Sequence, residues 1–121
     1  MKKLKIDDEG TAIYLQIMEG IKRAIVRGEL KLGERMVSVR DMAYEVGVNP
    51  NTVARAYMEL ERDGILVSRR GRGTFVTDDK HRIEKERERL AKRYTQRFKK
   101  EMEELGLSLD HVLKLVKGEG Q

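Results

Sequence analysis

Between residues 38 and 63 the chain runs through two apolar rhythms of helical period with a single tight turn between them, and few architectures accommodate that pattern. Ser38 opens the first rhythm. Its side-chain oxygen can cap free backbone amides, and Asp41, three residues on, puts negative charge where a helix N-terminus favours it. Val39, Met42, Ala43 and Val46 then fall at i, i+3, i+4 and i+7, the spacing of one buried face. Gly47 stands where the chain must turn sharply. Asn49 and Pro50 restart a helix, with a capping residue ahead of a proline that loses nothing by lacking an N–H there. The second helix is expected from about Pro50 to Asp63. Its buried face is Val53, Ala56, Tyr57 and Leu60, so at roughly 100° per residue Asn51, Arg55, Met58 and Arg62 point the other way. Gly64 ends it.

Ile65 to Ser68 and Thr74 to Thr77 are short β-prone runs. Arg69, Arg70, Gly71, Arg72 and Gly73 between them put three cations and two permissive glycines at a hairpin tip. Two short helices followed by such a hairpin make a winged helix-turn-helix, a mainly α fold with a small β-hairpin wing. In a helix-turn-helix the second helix enters the major groove of DNA and its N-terminal residues meet base edges. Here those residues are Asn49, Asn51, Thr52 and Arg55. Asn can pair bidentately with adenine and Arg with guanine, while Thr and the positive end of the helix suit phosphate. The plainer reading makes Ser38 and Asn49 caps only and Arg55 a solvated charge, and Arg-Gly hairpin tips also occur without any nucleic-acid role. The wing tips the balance, because a loop this basic sits well on phosphates or in a narrow minor groove.

Across residues 12–77 the chain resembles the GntR family of bacterial transcription regulators. The matching stretches are Tyr14 to Ile17, Gly28 to Leu30, Gly33, Ser38 to Arg40, Gly47 to Val53, Leu60 to Gly64 and Gly71 to Val76. The family usually carries Pro near Ala12 and Leu-Pro where this chain has Met36 and Val37. By this resemblance Arg40, the stretch Asn49, Pro50, Asn51 and Thr52, Arg55, and Arg70, Gly71, Arg72 and Gly73 of the wing occupy DNA-contacting positions.

Upstream, Ile13, Ile17, Ile21, Ala24 and Ile25 form a stripe at helical spacing closed by Gly28, the expected floor of the two reading helices. Tyr14 and Met18 flank it and read as packing rather than as a ligand cage. The first ten residues are polar and lack the apolar centre of a secretion signal, and nowhere do 18 apolar residues run together. A soluble, cytoplasmic protein without a membrane partner is expected. At 121 residues there is room for one domain plus an appendage. The net charge of +5 favours an anionic partner, yet the excess is divided almost evenly along the chain, so local clustering is the useful signal. With no cysteine, disulfides and thiolate metal sites are excluded, which suits a reducing compartment.

Residues 1–77 are therefore read as a winged helix-turn-helix DNA-binding domain and residues 78–121 as a helical dimerisation tail. Residues 79–105 contain no Gly or Pro, are dense in charge, and place Ile83, Leu90, Ala91, Tyr94, Phe98, Met102 and Leu105 on an arc of roughly 120°. Gly106 breaks this helix. Ser108 opens a short last one, with Leu109, Val112, Leu113 and Val116 on one side. So few residues cannot bury this surface alone, and a second copy can. The expected dimer interface is Ile83, Leu90, Tyr94, Phe98, Met102, Leu105, Leu109, Val112, Leu113 and Val116. Only 44 residues follow the wing, too few for the large effector domains of many GntR-type regulators. A long helix followed by a short one resembles the YtrA-like subfamily, whose tail serves chiefly for dimerisation.

An enzyme is disfavoured. His81 lies near Asp78 and Asp79, and His111 next to Asp110, but neither has a recurring ligand spacing, and no phosphate-cradling Gly-rich loop is present. The carboxylates of Glu84 to Glu88 read as a solvated helix face with local ion pairs. Residues 89–100 hold six basic side chains and no acid; that run reads as a solvated dimer face, with an anionic small molecule or flanking DNA backbone as the alternative. The expected protein is a homodimeric, sequence-specific DNA-binding transcription regulator, a repressor on a palindromic operator, with no cofactor and no metal and with a possible small-molecule effector. A nonspecific architectural nucleic-acid binder and a winged-helix protein-interaction module are the competing classes.

Overall fold

The computed structural model describes residues 4–6 and 11–119. Of the first ten residues, read as polar, only 4–6 are described, and there Leu4 and Ile6 depart from that reading by packing against the hydrophobic core. In chain order the elements are α1 (Ile13–Val26), α2 (Val39–Val46), α3 (Pro50–Arg62), β1 (Leu66–Arg69), β2 (Gly73–Val76), α4 (Lys80–Glu104) and α5 (Leu109–Val116). They group into a head, Met1–Arg87, and a tail unit, Glu88–Gln121, with α4 running through the division.

The head is the expected winged helix-turn-helix, and its local signals act as their chemistry predicts. Ser38 Oγ accepts from the Asp41 amide at 3.1 Å and starts α2. Gly47 ends that helix at φ 78°, a left-handed conformation that glycine takes without a Cβ penalty. Asn49 Oδ1 then accepts from the Asn51 amide at 2.7 Å, and Pro50 opens α3. Ile17 and Ile21 of α1, Met42 of α2, and Val53, Ala56, Tyr57 and Leu60 of α3 are buried in one core with Ile65, Leu66 and Val76. The buried face of α1 is turned slightly from the expected one: Met18 is inside and Ile13 only partly so. Tyr57 donates to the Val37 carbonyl at 2.7 Å. Burial, and secondarily the nearby charge of Glu45, push its phenol pKa well above the ordinary value, so it remains a protonated donor.

Ala12 precedes α1 at φ −54°, close to the angle a proline imposes, so the start of the helix keeps its shape without one. Met36 fills the core, and its amide donates to the Thr74 carbonyl at 2.8 Å. That bond belongs to a feature the sequence did not announce: Val76 donates to Glu34 at 2.8 Å and Arg35 pairs with Phe75 as an antiparallel bridge, so residues 34–36 edge the wing. Leu4 lies directly over Gly20 in the middle of α1, where a Cβ would collide with its side chain.

The base of α4 is built into the head. Ile83 belongs to the head core. Arg82 donates to the carbonyl of Asp63 at 3.1 Å and Arg87 to that of Val26 at 2.8 Å, satisfying carbonyls at the ends of α3 and α1 that have no partner inside their own helices. Lys22 of α1 reaches Glu86 at 3.3 Å. Glu84 and Arg87 form the exposed local pair expected of a solvated face, but Glu86 is 4% exposed and departs from that reading, because the face of α4 that carries Ile83 turns it against α1.

In the tail unit Ser108 Oγ accepts from the His111 amide at 3.2 Å and starts α5. Leu90 and Val112 are buried, whereas Phe98, Leu105, Leu109, Leu113, Leu115 and Val116 remain exposed.

Candidate nucleic-acid interface

The capped start of α3 fixes what each candidate side chain is free to do. Asn49 spends its carbonyl oxygen on the cap. Bidentate recognition of adenine uses the oxygen and the nitrogen of one amide, an orientation open to the side chain of Asn51, which is exposed on the first turn and takes no part in the cap. Pro50 is exposed beside it, and Thr52 is partly buried. One turn further on, Arg55 is exposed, with its guanidinium 3.8 Å from the centroid of the Tyr14 ring of α1. Arg40, exposed on the first turn of α2, completes the helical set. Met58, 66% exposed, continues the outward face of α3.

The wing is a two-stranded ladder with Leu66 opposite Val76 and Arg69 opposite Gly73. The strands are offset by one residue from the expected runs, because Arg69 and Gly73 are drawn into the ladder and the tip contracts to Arg70, Gly71 and Arg72. Arg72 closes it by donating to the Arg69 carbonyl at 2.8 Å. Gly71 has φ 75° and Gly73 φ 109°, both in the region that favours glycine. Arg70 and Arg72 are exposed, and Arg69 lies over the Phe75 ring at 5.1 Å. Arg35 joins them. A Cβ on Gly73 would come 3.0 Å from its Nε, so its guanidinium lies along the wing strand. Sequence reasoning missed this cation because nothing in residues 31–37 has strand periodicity; the available signal was the Arg at 35 between Glu34 and the apolar Met36.

The ten tail candidates separate by burial. Ile83, Leu90 and Val112 are covered within one chain. Tyr94 and Met102 are partly buried, and Tyr94 lies within 5.7 Å of the Arg93 guanidinium and 5.5 Å of that of Arg97. Phe98, Leu105, Leu109, Leu113 and Val116 stay exposed. His81 and His111 are both exposed. Among the described residues no helix is long and apolar enough to cross a membrane, and no three His, Cys, Asp or Glu residues gather as a metal site.

Residues 13–76 match the model of the family described as bacterial regulatory proteins, gntR family. The chain is 42% identical over 105 residues to YhcF of Bacillus subtilis, an uncharacterized HTH-type transcriptional regulator, and the alignment covers 87% of each. It is 45% identical over 69 residues to the HTH-type transcriptional repressor YtrA of the same organism, covering 57% of this chain and 53% of YtrA. A solved GntR family transcriptional regulator from Listeria monocytogenes superposes with a TM-score of 0.86 at 40% identity, covering 93% of this chain and 98% of that one.

Proposed function

This chain belongs to the gntR family of bacterial regulatory proteins, with YtrA among its relatives, and is a DNA-binding transcription regulator; from that premise we propose a homodimeric repressor that occludes a promoter by binding a palindromic operator. The observation that carries the reading is the head itself: a capped α3 presenting Asn51 and Arg55 outward, beside a wing tipped by Arg70 and Arg72. Asn51 and Arg55 read base edges, Arg40, Thr52 and the α3 N-terminus hold phosphate, and the wing cations sit on the backbone or in the minor groove. Asn49 and Pro50 shape the helix start, and Gly71 and Gly73 shape the wing. Pairing is supported by the exposed apolar residues of the tail, since an isologous contact is the commonest way to cover such a surface. An effector acting through the tail would change the spacing of the two heads. In this reading the protein works in the cytoplasm, catalyses nothing and needs no cofactor.

The test is a titration of the full-length chain against two duplexes, one enriched from a randomised pool by the protein and one random, from about 50 to 200 mM salt. A large preference supports a sequence-specific regulator. Equal affinity would make it an architectural binder, and no binding would leave a protein-interaction module. Within the same assay, Asn51→Ala is expected to cost about 1–3 kcal/mol on the enriched duplex and to relax preference at particular base pairs, whereas Arg72→Ala weakens both duplexes alike. An unchanged preference profile in Asn51→Ala removes it from the readers.

A further inference from the structure

Arg55 stands on α3 but is held from α1. Its guanidinium carbon is 3.8 Å from the centre of the Tyr14 ring, the distance of a stacked cation–π contact. Tyr14 is the second residue of α1; it is partly buried and packs against the head core, so the ring is a fixed platform. Stacking covers one face of a guanidinium and leaves its N–H donors, which lie in the plane, pointing outward. A long side chain with several rotamers is thereby confined to one plane before any partner arrives.

We infer that Tyr14 is a positioning residue for base recognition: it orients Arg55 so that the guanidinium meets a guanine edge in register with Asn51. The inference rests on the reading of Arg55 as a base reader. It assigns to α1, which lies outside the reading pair, a part in the sequence preference of the protein. The physical gain is pre-organisation, since confinement of the guanidinium is met during folding rather than during binding.

The experiment is a double-mutant cycle on the full-length chain, with the enriched duplex and its single-base-pair variants as probes. Tyr14→Leu is expected to weaken the enriched duplex about two- to five-fold, the equivalent of one exposed cation–π contact. The loss should fall at the base pair whose preference Arg55→Ala also flattens, with random-duplex affinity unmoved. Tyr14→Phe, which keeps the ring, retains wild-type preference. On the Arg55→Ala background Tyr14→Leu adds nothing, because Tyr14 acts through Arg55. Melting temperatures of all variants separate folding from recognition. If Tyr14→Leu costs the same with and without Arg55, its role is structural and the inference is overturned. If Tyr14→Leu leaves the preference intact while Arg55→Ala disturbs it, Arg55 reads but is not positioned by the ring. If Arg55→Ala itself changes nothing, the reader assignment falls and the positioning role falls with it.

Discussion

Phe98→Glu combined with Leu113→Glu should turn the full-length protein into a monomer and weaken its hold on the enriched duplex by about 10²–10⁴-fold, the factor that linking two sites typically contributes. Both residues are 44% exposed, so the two carboxylates can turn to water within one chain but not at an interface that must bury them. A dimer would carry two heads to half-sites about 34 Å apart, one turn of the duplex. Sedimentation at micromolar concentration reads the assembly, and titration reads the affinity. A double variant that still sediments as a dimer, or a monomer with undiminished affinity, refutes the dimeric reading of the tail.

The second large effect is expected at the base of α4. Lys22 and Glu86 lie 3.3 Å apart with side-chain exposures of 12% and 5%. Lys22→Met removes an ammonium that offsets the burial of Glu86, and should lower stability by about 1–3 kcal/mol, the cost of taking one partner from a buried polar group. Lys22→Met with Glu86→Leu should recover much of the loss, because an apolar pair of similar size needs no compensation. Urea unfolding of the three proteins checks both statements. A single variant within about 0.5 kcal/mol of wild type would mean that the pair behaves as a surface contact.

Features written within a few residues of one another were legible in the sequence. Ser38, Asn49 with Pro50, and Ser108 each begin the helix expected of them, and Gly47 makes the turn, because caps and turns are decided by neighbours. The buried face of α3 was legible for the same reason. What escaped is held together across long stretches of chain. Arg87 reaches Val26 and Arg82 reaches Asp63, contacts that a string of charges in a helix does not disclose. Periodicity placed Ile83 on one stripe with Phe98, but could not say that the head core covers Ile83 and leaves Phe98 exposed. The edge at residues 34–36 is defined by β2, its hydrogen-bonding partner, and has no pattern of its own. Arg55 was read as an outward residue, and it is; that it lies against Tyr14, 41 positions earlier, needed the fold.

Gly20 and Leu4 bear on how such a chain can change over time. A glycine in mid-helix costs roughly 1 kcal/mol relative to alanine, so taken alone Gly20→Ala is a step uphill in fitness for folding. With Leu4 seated on that glycine the same step must also push the end of the Leu4 side chain aside. Its return therefore depends on the residue at position 4, and is larger in a lineage whose side chain there is shorter. The two sites are epistatic, so the worth of one substitution is set by the state of the other.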